Sequence, residues 1–125
     1  MAKEVIRSEG APQAIGPYSQ AVKADGTLWC SGQIGLDPST GTLVAGGFEA
    51  EARQVLANLD AVVRAGGLTL ADAVRLTVYV VDLADFPRLN AIFEECLSTP
   101  YPARATVQVA ALPKGALVEI GRAHV

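Results

Sequence analysis

The stretch Val74-Arg75-Leu76-Thr77-Val78-Tyr79-Val80-Val81 decides the architecture. It is rich in β-branched residues, with Val74, Leu76, Val78 and Val80 on one side and Tyr79 and Val81 on the other. It therefore reads as a strand that is apolar on both faces. Upstream, Phe48, Ala52, Val55, Leu56, Leu59, Val62 and Val63 recur at spacings of three and four, which predicts an amphipathic helix. Glu49 with Arg53, and Asp60 with Arg64, form i,i+4 pairs on its polar surface, and Gly66-Gly67 ends it. Downstream, Phe86, Leu89, Phe93, Cys96 and Leu97 predict a second helix, with Asp85 as its cap and Pro87 in the first turn.

Outside this strand and its two helices the pattern is extended. Lys3 to Arg7 reads as a first strand. Ser19 to Ala24 and Thr27 to Ser31 flank Asp25-Gly26, the pair that supplies the positive φ values of a type I′ hairpin. Asp37-Pro38-Ser39-Thr40-Gly41 is a further turn cluster. Ala105 to Ala110 and Ala116 to Ile120 read as strands separated by Leu112-Pro113-Lys114-Gly115. The expectation is an α+β fold: a mixed six-stranded sheet with two helices on one face. Two helices cannot cover both faces, and the second side of Val74–Val81 is dry. A partner subunit is the economical cover, so a homo-oligomer is expected.

The chain has 125 residues, which suits a single domain over 1–125. Half of it is hydrophobic and only 6% is aromatic, so the core must be built from Val, Leu, Ile and Ala. A formal net charge of −3 without a Lys/Arg cluster gives no support to a nucleic-acid partner. No stretch has the length and charge pattern of a signal peptide or a bilayer span, which makes a cytoplasmic location the expectation and a membrane partner unexpected. Cys30 and Cys96 fit no metal or redox spacing and read as buried, reduced small hydrophobes. The one histidine, His124, reads as a solvated tail residue, which leaves no Ser-His or Cys-His pair in the body of the chain. Nucleotide-loop and zinc-hydrolase motifs are absent, so neither metal nor cofactor is expected.

What remains is a set of polar residues in awkward places: Tyr18 before a strand, Ser31-Gly32-Gln33 after Leu28-Trp29-Cys30, Arg104 where a proline-stiffened loop enters a strand, and Glu119 within Ala116–Ile120. Taken singly, each reads as a surface residue. Their context reads differently. The run Pro102-Ala103-Arg104-Ala105-Thr106-Val107-Gln108-Val109-Ala110-Ala111-Leu112-Pro113-Lys114-Gly115-Ala116-Leu117-Val118-Glu119-Ile120 resembles the C-terminal signature of the reactive intermediate/imine deaminase (RidA) family. The likeness continues through Ala14-Ile15-Gly16-Pro17-Tyr18-Ser19-Gln20-Ala21, Ser31-Gly32-Gln33-Ile34-Gly35-Leu36-Asp37-Pro38, Thr77-Val78-Tyr79-Val80-Val81-Asp82, and Asp85-Phe86 with Asn90.

The resemblance implies a chorismate-mutase-like fold in which three subunits join their sheets into a central barrel, with ligand clefts at the subunit interfaces. It also implies hydrolysis of the enamine/imine intermediates released by pyridoxal-phosphate enzymes, such as 2-aminoacrylate, to 2-oxo acids and ammonia. On that basis Arg104 holds the substrate carboxylate and Glu119 orients or deprotonates the attacking water. Tyr18, Ser31, Gly32, Asn90 and Thr106 line the cleft. The chain departs from the family at Thr106, where many members carry cysteine, and after Ile120, where it reads Gly121-Arg122-Ala123-His124-Val125 instead of an acidic residue and aliphatics. Three other functions are weighed: oxo-acid binding without turnover, RNA cleavage with inhibition of translation, and a chaperone-like role. The acidic balance and the lone terminal histidine argue against RNA cleavage.

Overall fold

The computed structural model describes residues 2–125. Seven strands and two helices follow in the order β1 (Glu4–Ile6), β2 (Ala21–Ala24), β3 (Thr27–Cys30), β4 (Gln33–Ile34), α1 (Gly47–Ala65), β5 (Arg75–Val80), α2 (Phe86–Cys96), β6 (Ala103–Gln108) and β7 (Val118–His124). The sheet runs β1-β2-β3-β7-β5-β6, with the short β4 pairing beside β3 on β7. Neighbours are antiparallel except β5 and β6, which are parallel and joined through α2. The expected six-stranded sheet is thus corrected to seven. Gln33–Ile34 has only two residues, too few for alternation to show in the sequence.

Local rules account for most of the elements. Asp25 (φ 50°) and Gly26 (φ 77°) are both left-handed, as the type I′ hairpin between β2 and β3 requires. Gly67 (φ 85°) lies just beyond α1, where the Leu68 N–H reaches back to the Val63 carbonyl at 3.1 Å and closes the helix end. Asp85 occupies the position before α2 but makes no side-chain cap. The Asp82 carboxylate instead accepts the Ala84 N–H at 2.9 Å, one short turn earlier.

Leu76, Val78 and Val80 of β5 are fully buried with Val118 and Ile120 of β7 against Val55, Leu59, Val62 and Val63 of α1 and Leu89 of α2. This is the core face. Val74, expected on it, precedes β5 and is 68% exposed, with its N–H spent on the His124 carbonyl. The strand register fixes what lies on the other face: Val5, Val22, Trp29 and His124 across β1, β2, β3 and β7, then Ala105 and Val107 on β6. Val5, Trp29 and Val107 remain exposed there, an apolar surface that neither helix reaches.

Two further expectations are corrected. His124 is no solvated tail: β7 runs four residues past Ile120, and the partly buried imidazole meets the Trp29 ring edge-on at 4.4 Å. Cys96 is exposed at the end of α2, beside Arg53, whereas Cys30 is buried and its thiol is pushed up to about 11 by desolvation. Among the described residues no helix is long and apolar enough to cross a membrane.

Buried polar groups pin the β3–β4 segment to α1. The fully buried Asn58 amide donates to the carbonyls of Ile34 (3.2 Å) and Leu36 (2.9 Å) and accepts from Gln54 at 2.8 Å. Gly35 permits the approach, since a Cβ there would lie 2.9 Å from the Glu51 backbone. The Glu51 carboxylate in turn accepts the Leu117 N–H at 2.9 Å, at the entrance to β7. Asn58→Ala strands the Leu36 carbonyl, while that of Ile34 keeps the Leu36 N–H at 2.8 Å, and is expected to cost about 2 kcal/mol in a urea unfolding titration, against less than about 0.5 kcal/mol for the exposed Ala57→Ser.

Candidate active site

Arg104 is the second residue of β6, just past the Pro102 loop that leads into the strand. Register pairs it with Leu76 and pairs Thr106 with Val78, so both point to the core face, towards α2. There an Arg104 Nη2 donates to the Asn90 Oδ1 at 2.7 Å, and the guanidinium carbon stands 5.2 Å from the Phe86 ring centre and 5.1 Å from that of Phe93. Among the described residues no carboxylate pairs with it. Partial burial lowers its pKa from the usual arginine value through desolvation, and the group stays cationic in water. The Thr106 hydroxyl, two residues along the same face, is buried without a hydrogen-bond partner among the described residues. This half of the site is a desolvated cation, two ring faces, an amide and an unsatisfied hydroxyl, a set suited to holding an anion.

Glu119 belongs to the other face of the sheet. It sits opposite Tyr79 on β7, one residue out of phase with the buried Ile120. A cavity of about 350 Å³ opens beside it, lined by Tyr18, Gln20, Ser31, Gly32 and Glu119 among others. Burial raises the Glu119 carboxyl above its ordinary value. Gly32 is in direct contact, since a Cβ there would stand 2.8 Å from Glu119 Oε2. The absence of a side chain at position 32 is therefore a condition for the carboxylate to occupy this place. Gly121 extends the same restriction, because a Cβ on it would meet Gly32 Cα at 3.3 Å and Tyr79 at 3.6 Å.

The structure thus brings the seven expected residues together in two groups: Arg104, Asn90 and Thr106 on the core side of β6, and Tyr18, Ser31, Gly32 and Glu119 on the far side of β7. Within one chain the two groups do not meet. Ser31 spends its hydroxyl on the Ser19 carbonyl at 2.6 Å, fixing the chain before β2 against the end of β3. The Tyr18 side chain is 48% exposed, and its oxygen accepts the Ile15 N–H at 3.3 Å. Sequence reasoning missed Gln20, Phe86 and Phe93 as parts of the site. The buried Gln20 side chain accepts from the Ser8 N–H (2.7 Å) and donates to the carbonyls of Ser8 (3.1 Å) and Pro12 (2.8 Å), which ties down the arm leading to Tyr18. Phe86 and Phe93 lie on the apolar stripe of α2 and could not be told from ordinary core residues by spacing.

An α+β sheet with one helix-covered face, an arginine without a carboxylate partner among the described residues and a desolvated glutamate are the marks of a protein that binds a small anionic molecule. Residues 8–123 match the family model described as Endoribonuclease L-PSP. The human 2-iminobutanoate/2-iminopropanoate deaminase is 48% identical over 118 residues, 94% of this chain and 86% of that protein. The mouse protein of the same name is 49% identical over 118 residues, 94% of this chain and 87% of its own. The crystal structure of RidA from the Antarctic bacterium Psychrobacter sp. superposes with a TM-score of 0.94 at 50% identity, covering 98% of each chain. The chain belongs to the RidA family.

The raised Glu119 pKa has a definite sign for stability. Folding favours the protonated carboxyl, so the group destabilises the fold increasingly as pH rises above the ordinary carboxylate range. Glu119→Gln is therefore expected to raise Tm at neutral pH and to lose that advantage as pH falls below the ordinary carboxylate range. Thermal unfolding of the two proteins across that pH range measures the crossover.

Proposed function

We propose that the chain deaminates 2-iminobutanoate and 2-iminopropanoate, hydrolysing enamine/imine intermediates of pyridoxal-phosphate enzymes to 2-oxo acids and ammonia. The observation that carries this reading is the Arg104 guanidinium, held half-buried by Phe86, Phe93 and Asn90 with no carboxylate among the described residues to neutralise it. A small carboxylate is its natural counter-ion. Two parallel N–H···O bonds would fix the acid end and set the orientation of C2.

The chemistry then needs only water and proton transfer. Water adds to C2 of the imine, giving up a proton to the Glu119 carboxylate while the imine nitrogen gains one. The tetrahedral carbinolamine collapses as its hydroxyl loses a proton and the nitrogen, protonated in turn, leaves as ammonia with the C–N electron pair. The sum is imine plus water to oxo acid plus ammonia. A carboxyl desolvated into a higher pKa suits both directions of proton transfer. Tyr18, Ser31, Gly32, Asn90 and Thr106 shape the cleft in this scheme. Neither metal nor cofactor takes part.

Arg104 and Glu119 can serve one substrate only if they come from different chains, because the pleat sends them to opposite faces of the same sheet. The reading therefore includes a homotrimer of the chorismate-mutase-like kind, with sheets joined through the open faces and each cleft taking its arginine from one subunit and its glutamate from the next. It also places the protein in the cytoplasm, as one domain over 1–125 with no membrane partner. An RNA-cleaving role finds less support: the net charge is −3, and the only imidazole is packed on Trp29.

Coupled to a serine/threonine dehydratase, the protein is expected to accelerate oxo-acid release from the freshly formed imine. Arg104→Lys, which keeps the charge but loses the fork, is expected to lower kcat/KM by about 10–100-fold, and a near-wild-type rate would remove the arginine from the mechanism. Activity should fall as pH drops through the raised pKa of Glu119, giving an acid limb above the ordinary carboxylate range. Glu119→Gln should lose most of the rate and that limb together. Finally, sedimentation should give three times the 13.0 kDa chain mass, and Val107→Asp on the open face should yield a folded, inactive monomer.

A further inference from the structure

One polar group on the open face of β5 takes no part in either half of the site. Thr77 is 6% exposed, and its hydroxyl is buried without a hydrogen-bond partner among the described residues. An unmet hydroxyl in such a place is costly, and it marks a bond that another state of the protein makes. Solvent does not reach this oxygen, so neither bulk water nor a second chain docked on the face can satisfy it from outside. The partner must come from the same layer of side chains.

Register identifies one. Thr77 stands opposite Gly121 of β7, and Tyr79, two residues along β5, stands opposite Glu119. Thr77 and Glu119 are therefore diagonal neighbours on one face of an antiparallel pair. Gly121 occupies the corner between them with no side chain. The room it leaves is that of one methyl group: a Cβ there would stand 3.3 Å from Gly32 Cα, 3.6 Å from the Tyr79 ring and 3.8 Å from Glu119 Oε2. The carboxylate already leans over the glycine. Directly opposed side chains lie roughly 5 Å apart at Cβ, so rotation about the glutamate side-chain bonds spans the rest. Other groups facing Glu119 offer no charge. Tyr79 and Tyr18 are the titratable ones, and among the described residues no second charged side chain lines its cavity. Arg75, beyond Thr77 on the same face, is exposed and stands opposite His124. An ionised carboxylate in this desolvated corner gains most from a fixed donor.

We infer that Thr77 is a positioning residue for Glu119: once ionised, the carboxylate turns one oxygen over Gly121 to accept the Thr77 hydroxyl, and its other oxygen stays turned to the cavity to take a proton from water. The inference deepens the proposed reaction and rests on it for the role of the base, but the contact can be tested by titration alone.

NMR of the carboxyl carbons, with Glu119 assigned by its loss in Glu119→Gln, reads the charge of this side chain without any substrate. Thr77→Val keeps the shape and removes the donor, whereas Thr77→Ser keeps the donor. Thr77→Val is expected to raise the midpoint of the Glu119 titration by about one pH unit, and Thr77→Ser to leave it nearly in place. Gly121→Ala closes the gap without touching either side chain and should produce the same rise. With freshly released 2-iminopropanoate, the acid limb of kcat/KM should move up with the NMR midpoint in Thr77→Val and Gly121→Ala, while KM above that limb stays within about twofold. A merely structural threonine would move Tm and leave the midpoint alone. An unmoved midpoint in Thr77→Val, or an equal rise in Thr77→Ser, would overturn the inference. A raised midpoint in a protein that turns over no imine would leave the contact standing and sink the deaminase reading instead.

Discussion

The pleat of one sheet governs this molecule. Successive side chains on a strand point to opposite faces, and register carries that choice from strand to strand. Leu76, Val78, Val118 and Ile120 must face the helices to be buried, and once they do, Arg104 is committed to the core side of β6 and Glu119 to the open side of β7. No side-chain rotation within one chain changes that. A one-residue slip of β6 would send Arg104 out to the open face, away from Phe86, Phe93 and Asn90, and would turn Ala103 and Ala105 inward. The separation of the two polar groups is therefore a consequence of the core.

Each group is built by a different physical device. Around Arg104 the device is a controlled lack of neutralisation. Ring faces and one amide oxygen stabilise the cation enough to keep it half-buried, and no carboxylate among the described residues neutralises it. Around Glu119 it is steric. Gly32 and Gly121 bring backbone so close that the carboxylate is crowded away from water, and desolvation raises its pKa. The scaffolding lies further back. Asn58 ties the β4 segment to α1, Glu51 ties α1 to the start of β7, and Gln20 ties the arm that carries Tyr18. The link bearing Gly32 and the strand bearing Glu119 are thus referred to one helix by buried hydrogen bonds, whose loss is costly wherever water cannot replace them.

The open face of the sheet is an apolar surface that neither helix covers. Val5, Trp29 and Val107 stand exposed on it, and the histidine that would otherwise end in solvent is folded back onto Trp29. An apolar sheet surface of this kind is an unstable boundary with water. Under the trimer reading, the contact that covers it is also the one that unites a guanidinium with a carboxylate. Assembly and catalysis would then depend on a single surface.

Periodicity by itself determined both helices, the type I′ hairpin, and the strands around Val74–Val81 and Ala105–Ala110, because local spacing and turn chemistry are written in neighbouring residues. The motif resemblance singled out Arg104 and Glu119, which as isolated charges look like surface residues. Tertiary structure alone decided the rest. It made a strand of Gln33–Ile34, too short to show alternation, because β7 offers a pairing edge there. It carried β7 on to His124, since Trp29 and Arg75 lie alongside to pair with it. It turned Phe86 and Phe93 from core stripe into a frame for a cation, and it left Cys96 exposed beside Arg53 although the next residue, Leu97, is buried. Above all it set Arg104 and Glu119 on opposite faces: the parity of a residue is fixed by its own strand, but which parity faces the core is fixed only when strands distant in sequence pair.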